Sequence, residues 1–379
     1  MQTKNLSLAS LLERMRMKPI ADPAAILQTI NKTLLAAGLD PHAGPMKGVT
    51  ETISRAFASA GLGAAPNAQG PVIDVVAREI DGASPASREA RPSRGKFASH
   101  SHTNHAGTRA YKLYVPAERG NGPLPMIVML HGCSQSPDDF AAGTRMNELA
   151  EQHGFIVVYP AQTANANGSK CWNWFRARDQ QRDSGEPAII AGIVREVAAE
   201  HRADERRIFV AGLSAGAAMA VILGHAYPEL FAAVGAHSGL PAGAAHDTAS
   251  AFAAMHGSAR SAPRREAAAP AVPTIVFHGD RDATVNPGNG EAIVARAAAA
   301  SAGLRTRVER RASPGGRRYT RTVHVDAADR PIVEQWELHG AGHAWSGGSA
   351  SGSFTDATGP DASAEMVRFF LSQARSGTA

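Results

Sequence analysis

Short apolar runs alternate with longer amphipathic segments over most of the chain beyond residue 106. The runs are rich in β-branched residues and predict strands at 111–116, 125–131, 155–159, 207–212, 232–237, 273–278 and 332–339. The amphipathic segments have helical spacing and predict helices near 140–153, 187–202, 214–227, 289–302 and 361–374. Strands that alternate with helices are typical of an α/β domain around a mostly parallel sheet, which we assign to residues 106–376.

Two different patterns precede this domain. Residues 1–60 predict short amphipathic helices, because Asp22 and Pro23 form a helix start and apolar residues then recur every four positions until Gly38. Residues 61–105 are rich in Gly, Pro, Ser, Ala and Arg and predict a linker. The chain therefore has an N-terminal helical and low-complexity extension.

A third unusual stretch, residues 241–271, interrupts the alternation of strands and helices. It is rich in Ala, Gly, Ser, Pro and Arg and has weak periodicity. A connection of that length is uncommon in a compact domain. Two interpretations stay open: a lid or insert beside a functional site, or a disordered excursion.

The chain contains a single G-x-S-x-G sequence, Gly-Leu-Ser-Ala-Gly at 212–216. An apolar run precedes it, and a helical stretch of small residues, 215–226, follows it. A serine on a sharp turn between a strand and a helix is held in a strained, exposed position, and flanking glycines leave room for the backbone to pass. The pattern predicts that Ser214 is a catalytic nucleophile.

Two later strands end in polar loops that supply candidates for an acid and a histidine. The strand at 273–278 is followed by Asp280 and Asp282, and we favour Asp282 because the turn needs a few residues before the chain points back. Asp280 is the alternative, with a turn-capping side chain as its other interpretation. His343 is preferred to His339, since glycines make its loop flexible while His339 continues the strand. A histidine paired with an acid can take the serine proton during attack.

An early strand predicts where a developing oxyanion would be bound. The apolar run 124–130 ends in His131, Gly132 and Cys133. Acyl transfer needs backbone N–H groups aimed at the carbonyl oxygen as it gains charge. The residue after the nucleophile, Ala215, is one candidate donor, and Cys133 is the other. An ordinary strand-ending turn is the alternative interpretation of this segment.

Together these motifs resemble the polyhydroxybutyrate depolymerase family of esterases, which is related to feruloyl and acetylxylan esterases. The matching segments are LHGCSQ at 130–135, CWNWF at 171–175, GLSAGAAM at 212–219, HGDRDATVNP at 278–287 and GHAW at 342–345. The resemblance covers roughly residues 97–375. It implies an α/β-hydrolase fold and a mechanism without a cofactor. It also implies Ser214, Asp282 and His343 as the triad and Cys133 as an oxyanion donor.

The resemblance bears on the two cysteines and on the aromatic segment around them. It implies that Cys133 and Cys171 lie close together, as either a disulfide or two thiols, since a reducing compartment would favour thiols. It also favours Trp172 and Trp174, with His131, as residues that line a groove for an acyl or polymer segment. Core packing is the alternative for the tryptophans.

Charge and composition limit the classes of partner that the chain is expected to bind. The net charge of +5 arises within residues 1–110, which hold 13 Lys and Arg against 8 Asp and Glu. This bias fits a granule surface, a membrane or a nucleic acid, or simply a solvated face, and no motif supports nucleic-acid binding. No apolar run is long enough to span a bilayer. Near the start of the chain, charged residues interrupt the apolar positions, so a secretory signal is not expected.

A second candidate for special chemistry is the cluster of His100, His102 and His105. The spacing of these histidines is compatible with metal binding, but the residues lie among Ser, Thr and Asn in a segment that predicts a polar loop. Metal ligands need rigid placement and further partners. We interpret the three as solvated histidines and predict no metal site.

These observations predict a serine esterase that hydrolyses poly(3-hydroxybutyrate) or its oligomers through an acyl-enzyme. We expect a cytoplasmic protein acting on intracellular amorphous polymer, or an extracellular or periplasmic one if a leader is missing. The N-terminal region is a candidate for contact with the granule surface. One alternative is an esterase for feruloyl, acetyl or other small esters. Another is a granule-surface binding protein without catalysis, and the oligomeric state stays open.

Overall fold

The computed structural model describes residues 95–117, 122–257 and 272–375. The predicted helices within 1–60, most of the predicted linker and part of the 241–271 segment lie outside these ranges. Within these ranges the structure has twelve strands, seven α-helices and one short 3-10 helix.

Ten of the strands form one sheet, and two short strands form a second one. The strands are β1 (Lys96–Asn104), β2 (Gly107–Val115), β3 (Leu124–Leu130), β4 (Ile156–Pro160), β5 (Ala203–Leu213), β6 (Ala233–His237), β7 (Thr274–Gly279), β8 (Arg305–Ala312), β9 (Arg318–Val325), β10 (Pro331–Leu338), β11 (Trp345–Ser346) and β12 (Thr355–Asp356). The helices are α1 (Pro137–Thr144), α2 (Met146–His153), α3 (Gly185–His201), α4 (Ala215–Ala226), α5 (Thr248–Met255), α6 (Gly288–Ala299) and α7 (Ala362–Leu371). A short 3-10 turn spans Ala177–Gln180.

The large sheet has the order β1-β2-β4-β3-β5-β6-β7-β10-β9-β8. The six strands from β4 to β10 in this order pair in parallel, and two antiparallel strands lie at each edge. Parallel neighbours bring their carboxyl ends to one edge of the sheet. Loops that follow β3, β5, β6, β7 and β10 therefore meet there, which is where α/β sheets place their ligand sites.

Apolar side chains cover both faces of the central strands. One cluster joins α3 and α4 to the sheet through residues such as Val194, Met219 and Val210. The other includes α2 and α7, where the rings of Phe209 and Phe370 stack at 5.0 Å. Burial on both faces explains why these strands read as continuous apolar runs and could be predicted.

Each of the predicted strands occurs within a few residues of its expected position, which confirms the α/β fold class. The strands of the large sheet that the sequence did not predict lie at or next to its edges: β1, β8 and β9. The short strands β11 and β12 of the second sheet were not predicted either. Nearly every residue of β8 is exposed. Such a strand carries no apolar alternation, because neither of its faces contacts a core.

Strand β1 corrects two predictions. It occupies residues assigned to the linker at 61–105, and it pairs along its whole length with β2. The polar loop expected around the histidines is therefore wrong for His100 and His102, which lie in this strand. His102 is mostly buried, and its Nδ1 lies 2.6 Å from Oε2 of Glu196 on α3. Its ring joins the edge strand to a helix and is not solvated.

Two helical regions also differ in detail from the prediction. The single helix expected at 140–153 is two helices, because Arg145 adopts a left-handed conformation with φ 53°. The 241–271 segment contains α5, which Asp247 and Ser250 start with a capping box. Within the described ranges no helix is both long and apolar enough to cross a membrane.

Candidate active site

Ser214 occupies the turn between β5 and α4 in a strained conformation. Its φ of 57° and ψ of −120° are unusual for a residue with a side chain. Both flanking glycines are required by packing. A Cβ on Gly212 would lie 2.4 Å from the Gly216 carbonyl carbon, and one on Gly216 would lie 2.1 Å from the Leu130 oxygen. The G-x-S-x-G sequence thus folds into the sharp turn between a strand and a helix that its pattern predicted, and we call this turn the nucleophile elbow.

The same close packing brings the loop after β3 against the elbow. Gly216 also approaches the His131 carbonyl oxygen, which would lie 2.6 Å from an added Cβ. Ala215 begins α4, and the N–H groups of a helix's first turn have no partner within the helix. Cys133 follows His131 by two residues. The two candidate oxyanion donors therefore lie on segments that are in contact.

Asp282 and His343 form a buried pair at the carboxyl ends of β7 and β10. Asp282 Oδ2 lies 2.7 Å from His343 Nδ1, and Oδ1 accepts the N–H groups of Thr284 and Val285 at 2.9 Å. The carboxylate is fully buried, whereas His343 is slightly exposed. Burial alone would raise the pKa of Asp282. Hydrogen bonds from His278 and His343 outweigh that cost and hold the pKa well below its usual range.

The alternative acid, Asp280, pairs with the alternative histidine. Its Oδ2 lies 3.2 Å from Nδ1 of His339, and its Oδ1 accepts the Gly340 N–H at 2.6 Å. Both side chains are about one-third exposed. With Glu337 they form the one group in the described part of the chain with metal-ligand spacing. Because Asp280 and His339 bond each other and their own loop, we interpret them as a loop-fixing pair.

A disulfide joins Cys133 to Cys171, with an S–S distance of 2.02 Å. It connects the loop after β3 to the segment that carries the tryptophans. Ser134 N–H also donates to the Ser169 carbonyl at 2.7 Å, and Gly132 N–H donates to Gln135 Oε1 at 2.9 Å. The loop that carries the Cys133 N–H is therefore fixed at several points.

The predicted substrate-binding residues Trp172, Trp174 and His131 are buried, which favours core packing, the alternative interpretation of the tryptophans. Trp172 has no exposed surface, and its Nε1 donates to the His131 carbonyl at 3.1 Å. His131 is 1% exposed, and its Nε2 accepts the Gln162 N–H at 3.1 Å. Trp174 packs in the same core cluster. The Trp172 ring thus packs against the loop after β3 that carries Cys133, here called the oxyanion loop. Burial lowers the pKa of His131 to about 4.

Glu186, at the start of α3, anchors the same segment and carries no signal in the sequence. Its Oε2 accepts the Asn173 N–H at 2.7 Å, and its Oε1 accepts Asn173 Nδ2 at 2.8 Å. Burial raises the pKa of this carboxyl against the effect of these bonds. A buried acid with several donors is costly to disrupt. The network holds the 171–175 segment, and with it the disulfide, against the domain.

His237, at the end of β6, was also missed. Its carbonyl accepts the Ser214 N–H at 2.9 Å, and its Nε2 accepts the Ser346 N–H at 3.0 Å. The ring is fully buried and stacks on Trp345 at 5.2 Å. One residue thus contacts both the elbow and the loop that carries His343. Its position at a strand end beside β5 was the available signal.

Ser214, Asp282 and His343 follow β5, β7 and β10, so all three lie at one edge of the sheet. Their order along the chain is the order found in α/β-hydrolases. The fold defines the class as an α/β-hydrolase, and the three strand ends carry Ser, Asp and His in the order expected of a serine hydrolase.

Comparison with known proteins identifies the family within that class. The model of the family described as esterase PHB depolymerase matches residues 109–317. The chain belongs to this family of carboxylic ester hydrolases.

Individual relatives agree with this assignment. Poly(3-hydroxyalkanoate) depolymerase C from Paucimonas lemoignei is 31% identical over 251 residues, which cover 64% of this chain and 59% of that protein. Feruloyl esterase B from Neurospora crassa is 34% identical over 139 residues, covering 36% of this chain and 46% of the relative. The match thus spans less than two-thirds of each relative's length.

The fold has a solved counterpart. An acetyl xylan esterase from Aspergillus awamori superposes with a TM-score of 0.58 at 21% identity, covering 73% of this chain and 99% of the other. At that identity the likeness concerns the architecture alone.

Proposed function

We propose that this chain is a serine esterase that hydrolyses poly(3-hydroxybutyrate) or its oligomers. The observation that carries the proposal is the buried Asp282–His343 hydrogen bond at the sheet edge where Ser214 occupies a strained elbow. A histidine whose Nδ1 is fixed by a carboxylate presents Nε2 for proton transfer. Amorphous polymer and soluble oligomers are the substrates that we propose.

The mechanism assigns each step to a group of this chain. Ser214 Oγ attacks the ester carbonyl while His343 takes its proton, and the N–H groups of Cys133 and Ala215 stabilise the oxyanion. The intermediate collapses as His343 returns the proton to the leaving alcohol, which releases a hydroxyl-ended chain. Water then attacks the acyl-enzyme with His343 as the base. The product is a 3-hydroxy acid, and Ser214 is regenerated.

The surface beside the site supports an apolar substrate. Phe354 is 47% exposed and has a left-handed φ of 52°. Its carbonyl accepts the Trp345 N–H at 2.7 Å, which fixes it next to the loop of His343. Ser353 is held in turn by Gln135 of the oxyanion loop, through its carbonyl at 3.1 Å. A strained, exposed aromatic between these two loops offers an apolar polyester segment a surface for contact.

The experiment measures the release of 3-hydroxybutyrate from amorphous polymer granules and from soluble oligomers, alongside hydrolysis of p-nitrophenyl acetate. Ser214→Ala should abolish every activity, while Ser351→Ala, an exposed serine in a nearby loop, should keep them. Phe354→Ser should lower the rate on granules more than the rate on p-nitrophenyl acetate. Granules left intact by an enzyme that turns over the aryl ester would disprove the polymer substrate.

A second candidate is an esterase for feruloyl or acetyl groups. The sequence similarity to feruloyl esterase B favours it. Methyl ferulate and acetylated xylan, assayed beside the granules, separate the two. A higher kcat/KM on either of these than on hydroxybutyrate oligomers selects this candidate.

A third candidate is a granule-surface binding protein that does not catalyse hydrolysis. Co-sedimentation with granules at wild-type level, together with no reaction of Ser214 with a fluorophosphonate probe, would select it. The buried Asp282–His343 pair argues against it, because this hydrogen bond orients the ring as a catalytic base requires.

A further inference from the structure

His237 makes contacts through its backbone and through its ring to two different parts of the site. Its carbonyl oxygen accepts the N–H of Ser214, the residue on the elbow. Its ring Nε2 accepts the N–H of Ser346, three residues beyond His343. The ring is also stacked between Trp345, at 5.2 Å, and Phe277, at 5.8 Å.

These contacts determine the protonation state of the ring. A backbone N–H can only donate, so Nε2 of His237 must be the acceptor and carries no proton. The proton of the neutral ring then resides on Nδ1, which lies 3.2 Å from Ser238 Oγ. Burial, followed by the charges of His278 and His343, lowers the pKa of His237 to about 3, so the ring stays neutral near pH 7. Asp282 faces the same ring and acts in the opposite direction.

The ring cannot touch a substrate, because it has no exposed surface. It also lacks a bond to the Asp282 carboxylate among the contacts of the described residues, where Oδ2 is shared by His343 and His278. What it does contact is the backbone on which His343 is mounted. A displacement of about 1 Å in a catalytic group can lower the reaction rate about 100-fold. A change in the backbone that carries His343 would therefore affect catalysis.

We propose that His237 is a positioning residue, whose neutral ring sets the distance between the nucleophile elbow and the loop of His343. His237 links the two directly, since its carbonyl oxygen accepts the Ser214 N–H and its ring Nε2 accepts the Ser346 N–H. This inference rests on the proposed ester hydrolysis. It assigns the Ser346 N–H···Nε2 bond as the contact that matters.

The test uses two amides of different length in the full chain. The side-chain oxygen of glutamine can reach the position of a histidine Nε2, whereas that of asparagine reaches only the position of Nδ1. His237→Gln can therefore still accept the Ser346 N–H, and His237→Asn cannot. His237→Leu removes both polar atoms. Thermal unfolding of each variant records how much of any effect is loss of folding.

The measured quantities are kcat and KM for p-nitrophenyl acetate and the rate at which a fluorophosphonate labels Ser214. We expect His237→Gln to stay within about threefold of wild type and His237→Asn to lose 10- to 100-fold in kcat with KM nearly unchanged. The labelling rate should fall by a similar factor. Equal kcat values for the two amides, or losses that follow only the unfolding temperature, would overturn the proposal.

A spectroscopic readout separates this inference from the proposed function. The proton on His343 Nδ1, bonded to Asp282, should give a low-field proton resonance that His343→Gln removes. His237→Asn should shift or broaden this resonance, and His237→Gln should leave it near the wild-type position. An unaltered resonance in His237→Asn contradicts the positioning role even in a protein that turns over no ester. Absence of esterase activity in wild type contradicts the proposed function instead.

Discussion

The carboxylate of Asp282 contacts the imidazole of His343 through a hydrogen bond of 2.7 Å between Oδ2 and Nδ1. The same oxygen lies 3.4 Å from Nε2 of His278, a residue four positions earlier. The Thr284 and Val285 N–H groups occupy the other oxygen. A buried carboxylate with this many donors stays ionised, so it can orient His343 and stabilise the imidazolium that forms during attack.

Replacing this carboxylate by an amide tests the choice between the two acids. In Asp282→Asn, the amide nitrogen cannot accept from His343 Nδ1, so the ring loses its tautomer, and we expect kcat to fall about 10³–10⁴-fold. Asp280→Asn is the matched control, because its partner His339 lies in an exposed pair. It should change kcat little. Steady-state kinetics on p-nitrophenyl acetate decide, and a larger loss in Asp280→Asn would reverse the assignment.

Glycine spacing is what allowed the elbow and the histidine loop to be predicted from sequence. Gly212 and Gly216 are required by backbone approaches below the normal contact distance, and such sites leave a recognisable pattern. The central strands were predictable for a related reason, since burial on both faces leaves an apolar run. Strand β8 was not, because almost all of its residues are exposed.

The roles of His237 and Trp172, which hold the loops of the site in place, could not be predicted because their partners are backbone groups distant in sequence. Ser346 lies 109 residues beyond His237, and the chain near His237 reads as an ordinary apolar strand. Trp172 shows the opposite problem: an aromatic cluster in sequence does not reveal whether a ring lines a groove or packs beneath it. Here the indole N–H satisfies the His131 carbonyl, so the ring packs beneath the loop.

Gly216→Ala tests the packing between the elbow and β3. The added Cβ would lie 2.1 Å from the Leu130 carbonyl oxygen, which is backbone and cannot rotate away. We expect a loss of about 3 kcal/mol in the free energy of unfolding, together with a large loss of kcat. Gly168→Ala is the control, because nothing lies within 4 Å of its Cβ. Urea unfolding measures the stability of both variants, and p-nitrophenyl acetate hydrolysis measures their kcat. Equal stability of the two variants would contradict the close approach.

Removal of the disulfide tests how the oxyanion loop is held. Cys133 and Cys171 are 38 residues apart, and closing a loop of that length lowers the free energy of the folded state relative to the unfolded one by about 4 kcal/mol. The Cys133→Ser/Cys171→Ser double variant should therefore unfold at lower urea and lose part of its kcat. Wild type treated with dithiothreitol should match the double variant. If the untreated double variant unfolds at the wild-type midpoint, the bridge contributes nothing.

The two buried histidines predict how stability depends on pH. Burial lowers the pKa of His237 to about 3 and that of His131 to about 4, whereas an unfolded histidine titrates near pH 6.5. Between these values the unfolded chain binds more protons than the folded one. Stability therefore falls as the pH falls below about 6.5, by about 2 kcal/mol per histidine between pH 7 and 5. The ionised Asp282 contributes to this fall only below about pH 4, where an unfolded aspartate is protonated.

His237→Gln isolates one of these two contributions. Glutamine does not titrate, so the difference in the free energy of unfolding between wild type and this variant should shift by about 2 kcal/mol in favour of the variant from pH 7 to pH 5. His153→Gln is the control, since His153 lies on the exposed surface of α2 and its hydration changes little on unfolding. Urea unfolding at pH 7, 6 and 5 provides the measurement. A constant difference across this range would mean that His237 gains its proton over the same pH range in the folded and the unfolded chain. A protonated Nε2 could not accept the Ser346 N–H, so this outcome would contradict that contact at pH 5.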